Sequence, residues 1–127
     1  MITEDYVSFE TAKLLKEKGF DEICYLGYNK NGEYFPTSNR CNSQIIQPDF
    51  CFVCCPTLQM AMKWLRKEHN LCIILLPLVT DDDGEGGCLW KHTISMKLKV
   101  LFDSENLYES TEIASDDAIK YCLENLI

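Results

Sequence analysis

The sequence has no long hydrophobic run, little positive charge and no familiar catalytic motif, and each absence removes a class of function. Its longest apolar stretch, Leu71 to Val79, has nine residues with Pro77 inside it, about half of the roughly 18 that a membrane helix requires. Twelve Lys and Arg stand against 20 Asp and Glu, a formal charge of −8. Without a surplus of cations to displace counterions from phosphates, direct nucleic-acid binding is not expected. There is no GxSxG, P-loop, GxGxxG or HExxH, and Gly84-Glu85-Gly86-Gly87 fits none of them. The opening residues Met1-Ile2-Thr3-Glu4-Asp5 lack the basic and apolar regions of a secretory signal. A cytoplasmic location is expected, with no membrane association and no cofactor.

What is present suits one globular domain. The 127 residues are 46% hydrophobic and 25% charged, enough apolar material for one core and too much for disorder. Eight cysteines are too few for a disulfide scaffold of this length, and in a reducing compartment they act as small hydrophobes. Cys24, Cys72 and Cys122 sit in apolar patterns as packing thiols. Cys51, Cys54 and Cys55 cluster instead.

Periodicity and caps divide the chain. Ser8 caps a helix over Phe9 to Lys18, with Val7 and Ala12 as a staple and Gly19 as its left-handed terminator. Ile23 to Tyr28 and Tyr34-Phe35 flank the turn residues Asn29 to Glu33 as a hairpin. Pro36 to Asp49 reads as a long loop, and Phe50 to Cys54 as a short strand. Thr57 caps a second helix, Leu58 to His69, closed by Asn70. Leu58, Met60, Ala61, Met62, Trp64, Leu65 and His69 span half its circumference, so it should pack on more than one surface. Leu71 to Leu76 reads as a central strand ending near Pro77, and Leu89 to Lys97 alternates as a half-buried one. Val100 to Phe102 continues that strand or forms a short partner. Ser110 caps a last helix, Thr111 to Leu126. The order α-β-β-α-β-β-α predicts a single α+β domain over residues 1–127, an antiparallel sheet with helices on one face.

Three segments also carry a family resemblance: Glu4 to Phe20, Pro56-Thr57-Leu58-Gln59-Met60-Ala61-Met62-Lys63-Trp64-Leu65-Arg66 with His69-Asn70, and Ala118-Ile119-Lys120-Tyr121-Cys122-Leu123-Glu124-Asn125-Leu126-Ile127. They resemble a family of small uncharacterised proteins encoded in gut Bacteroidales genomes and their phages or prophages. The resemblance covers the three helices, roughly a third of the chain. It implies a shared fold and a phage or mobile-element origin, and it supplies no activity or site residue.

Several constellations have the right residue types for chemistry. Cys51-Phe52-Val53-Cys54 has CxxC spacing, and Cys54 and Cys55 precede a helix whose N-terminus would favour thiolate. Adding Cys88 and His92 gives a zinc-like set. In thioredoxin-type chemistry the second thiol lies inside the helix, where this chain has Gln59. Asp81, Asp83, Glu85 and Gly86 mimic the start of a calcium loop, but His92 stands where its bidentate Glu belongs. A solvated turn accounts for them better. His69 suits a structural role at a helix C-terminus. Lys63, Arg66 and Lys67 form one basic face beside Trp64, fit for an acidic partner or for plain solvation. Charge is uneven, with six bases and eight acids in residues 1–64 against six and twelve in 65–127.

The expectation is a small acidic, non-enzymatic interaction or regulatory protein acting through protein–protein contacts or self-association. The alternatives are a thiol- or zinc-dependent site at Cys51, Cys54 and Cys55, and an acidic mimic of nucleic acid that inhibits a host protein.

Overall fold

Local capping sets the helix boundaries in the computed structural model, which describes residues 5–36, 52–80, 87–97 and 99–127. Helix α1 is Phe9–Glu17, where the Ser8 hydroxyl accepts the Thr11 N–H and Gly19 takes φ +96°. Helix α2 is Leu58–His69, capped by Thr57 on the Met60 N–H and closed by Asn70 at φ 57°. Helix α3 is Thr111–Tyr121, capped by Ser110 on the Ile113 N–H. The expected continuation of α3 to Leu126 is present, but over Cys122–Leu126 it widens into a π-helical turn.

The strands form two antiparallel sheets of three, so the chain is an α+β protein with two small sheets where one was expected. In the first, β1 (Leu26–Tyr28) lies between β2 (Tyr34–Pro36) and β3 (Val53–Cys54). Its hairpin turns through Asn29, whose side-chain oxygen accepts the Asn31 and Glu33 N–H groups, and Gly32 at φ +83° packs against the Phe9 ring. The long loop expected to Asp49 lies, beyond Pro36, outside the described residues. In the second sheet, β5 (Gly87–Met96) lies between β4 (Leu71–Thr80) and β6 (Lys99–Asp103). β6 is a separate strand, because Lys97 at φ 57° turns the chain back after Met96.

Helices α2 and α3 cover one face of the β4–β5–β6 sheet, and α1 packs on β3 and α3. Between these layers Leu15, Phe20, Leu65, Leu71, Ile94 and Ile119 are fully buried. The helices at either end of the chain are clasped together. Asp116 accepts the Ser8 N–H (2.8 Å), the Ser8 hydroxyl (2.9 Å) and the Thr11 hydroxyl (3.1 Å). Lys120 meets Glu10 at 2.9 Å. Among the described residues no helix is long and apolar enough to cross a membrane.

Two strand expectations fail for one reason. The Leu71 run was expected to be central and to end at Pro77, yet β4 is an edge strand that continues through Pro77 to Thr80. Trp90 lies opposite Pro77, and its N–H and carbonyl are both spent on Tyr108, at 2.8 Å each, on the far side of β5. His92 does the same with Ser104. Antiparallel pairs alternate between bonded and non-bonded, so Leu75 and Pro77 aim their backbone groups away from β5. The donor that proline lacks falls on the open edge, where its absence costs the ladder nothing.

Candidate functional site

The outer face of β4 is the feature the fold leaves over. Odd-numbered β4 residues turn toward the helices, with Leu71 buried and Ile73 and Leu75 half-buried. The even-numbered set faces solvent: Cys72 is exposed, as are Ile74 at 45%, Leu76 at 40% and Leu78 at 40%. The sequence signal of a strand covered on both faces is thus met by a strand covered on one. Along the same strand the edge-directed backbone of Ile73 and Leu75 meets no partner among the described residues. Next to this apolar row runs a neutral belt. Lys91 pairs with Asp103 at 3.1 Å, and the Thr93 hydroxyl donates to Asp103 at 2.9 Å. The Thr93 and Lys91 hydrogen bonds hold the Asp103 carboxyl below the usual carboxylate range.

A polar cluster missed by sequence reasoning lies on the opposite face of β5. The His92 ring is fully buried, with Tyr108 stacked on it (centroids 5.5 Å) and Phe102 tilted beside it (5.8 Å). Its Nε2 meets Asp117 Oδ2 at 3.2 Å, and the Tyr108 hydroxyl donates to that same oxygen. Burial, then the Asp117 hydrogen bond, pushes the Tyr108 hydroxyl up to about 12. With Nε2 as donor, Nδ1 is left as a buried acceptor with no partner among the described residues. The Tyr108 hydroxyl also lies 3.4 Å from Nε2, and the cluster ties β5, Tyr108 and α3 together. The alternation of Trp90, His92 and Ile94 signalled an inward His92. The partner on α3 left no local trace.

The zinc-like set is not assembled. Four residues along a strand separate Cys88 from His92 by about 13 Å, far beyond a shared ion. Cys88 is exposed while His92 is engaged by Asp117. Cys54 is buried in the other sheet, and Cys51 lies outside the described residues. Among the described residues no three His, Cys, Asp or Glu side chains gather to hold a metal. The calcium-like Asp81, Asp83 and Glu85 also fall outside them.

Of the thiols before α2, Cys54 and Cys55 are buried. β3 turns Cys54 into the core, where its sulfur and that of Cys24 both approach the Glu22 carbonyl, at 3.8 and 3.6 Å. The Cys54 hydrogen bond and burial raise the Cys24 thiol, and burial pushes Cys55 up to about 11. The helix end that should have favoured thiolate is already capped by the Thr57 oxygen. Cys72, expected as a packing thiol, is exposed on the β4 face.

Trp64, expected beside the basic face, lines the cleft with Lys63 and Lys67 but exposes little of its ring. It is nine-tenths buried, edge-on to Phe20 and His69, and the wide apolar arc of α2 is used up between the sheet and α3. Lys63, Arg66 and Lys67 are exposed as expected. Lys63 and Lys67 share a cleft of about 320 Å³ with Glu22 and Glu68, which offset their charge. A groove of about 710 Å³ between α1 and α3 is lined by lysines already engaged, Lys16 on the Phe52 carbonyl and Lys120 on Glu10. Comparison with protein-family models, with curated proteins and with solved structures finds no match, which leaves β4 as the surface on which a functional argument rests.

Proposed function

We propose that this chain acts by protein contact and not by catalysis, adding an extended protein segment to the open edge of β4. The observation that carries the reading is the coincidence, on one strand, of an edge unpaired among the described residues with an exposed row of Ile74, Leu76 and Leu78. An edge strand with those properties is a template for strand addition, in which backbone hydrogen bonds give affinity and alternate side chains give selectivity. Proteins usually blunt an unused edge with lysine, proline, a bulge or a covering helix. Among the described residues of β4, Pro77 is the one such device, and it removes a single donor.

The occupant that fits is an extended, apolar segment without excess negative charge, because the molecule itself carries −8. The test is fluorescence of anilinonaphthalene sulfonate with folded wild type and with Leu76→Lys. Wild type should enhance the dye, and the lysine variant should lower the enhancement by about half. Equal enhancement from two equally folded proteins would sink the reading.

A further inference from the structure

Resting on that reading, we infer that the segment added to the open edge is β4 of a second copy, paired antiparallel so that the two β4–β5–β6 sheets join as one sheet of six strands. The strand is self-complementary in three respects. Its edge-directed groups at Leu75 lie on the axis, with those of Ile73 and Pro77 on either side, so an antiparallel copy turned about Leu75 offers donor to acceptor in both directions at Leu75. Pro77, the one residue without a donor, then falls opposite Ile73 of the other copy. It still accepts through its carbonyl, and each copy forgoes one hydrogen bond.

The same rotation sets Ile74 of one copy beside Leu76 of the other, and Cys72 beside Leu78. The two exposed rows become one stripe of cross-strand apolar pairs, the contact that stabilises antiparallel sheets.

Charge selects the direction. The chain enters β4 from the last turn of α2, with Arg66 and Lys67 exposed, and the sequence beyond Thr80 begins Asp81-Asp82-Asp83. Antiparallel pairing carries the basic end of each copy toward the acidic end of the other, twice over. Parallel pairing sets acid beside acid in a molecule that already carries −8. The neutral Lys91–Asp103 pair on the neighbouring strands opposes no like charge across the seam.

The experiment uses the full chain. Sedimentation velocity should show a concentration-dependent dimer with association in the region of ~10 µM, as suits a small interface. Leu76→Lys, at an exposed site outside the core, should weaken it at least about 10-fold while circular dichroism stays native. Amide exchange then identifies the edge. The Ile73 and Leu75 amides should gain protection as concentration rises, while the Ile74 amide, bonded to β5, should not change.

Two results overturn the inference. One is a monomer at about 100 µM; if that monomer still binds the dye through Leu76, the second copy is excluded and the broader reading stands. The other is a dimer whose Ile73 and Leu75 amides exchange freely, which places the contact elsewhere.

Discussion

At the scale of single residues, the strongest commitments of the fold are polar. His92 is fully buried, and the acceptor for its Nε2 is a carboxylate that is itself half exposed. Water can replace the ring as a partner for Asp117, but it does not reach the ring. Asp117→Ala should therefore cost about 2 kcal/mol, the penalty of a buried donor left unsatisfied. Asp117→Asn, which keeps an acceptor, should cost less. Urea melts of the two variants check the order, and equal losses would show that His92 does not depend on this oxygen. The pair also marks the limit of what the sequence discloses. Ser8, Thr57, Ser110, Gly19 and Asn70 were legible because a cap acts within four residues of itself. His92 and Asp117 are 25 residues apart, and only the docking of α3 onto β5 makes them partners.

Elements show the same division between local and remote causes. The α2 pattern of half a circumference was read correctly as contact with two surfaces, and these are the sheet and α3. The β4 pattern was misread because nine apolar residues describe a buried strand as well as an edge strand with an apolar outer face. Pro77 was the clue. A proline inside a strand places its missing donor on an edge, so Pro77 marks an edge strand and not the strand's end. Its position makes a prediction with two opposed readouts. Pro77→Thr restores an edge donor and a residue suited to strands, so self-association should tighten, by about 30-fold for two further hydrogen bonds per dimer at about 1 kcal/mol each. The monomer should melt slightly lower, since the threonine chain has more unfolded freedom to lose, worth about 0.5–1 kcal/mol. Sedimentation and a thermal melt at high dilution separate the two effects.

For the molecule as a whole, its cysteines set a pH limit. Burial pushes the Cys55 thiol up to about 11 and the Cys122 thiol up to about 12, whereas an unfolded thiol ionises near ~8.5. The folded state therefore keeps protons that the unfolded state gives up. The associated stability is fully present below the unfolded value and is lost as pH rises toward the folded one. Stability should hold up to pH ~8.5 and fall progressively to pH about 12, the folded Cys122 value, and urea midpoints across that range check it. Replacing Cys55 and Cys122 with alanine should flatten the alkaline fall while lowering stability at neutral pH through lost packing. A profile unchanged by those replacements would assign the decline to other groups.

The clasp between the first and last helices carries a consequence for the order of events in folding. Asp116 and Lys120 are held by Ser8, Thr11 and Glu10, more than 100 residues earlier. Ser8 and Thr11 therefore wait for an acceptor that is synthesised after both sheets. α1 is thus made before the residues that tie it to the rest of the core. β4 is made directly after α2, which packs on it, and before α3, which completes the cover of its inner face.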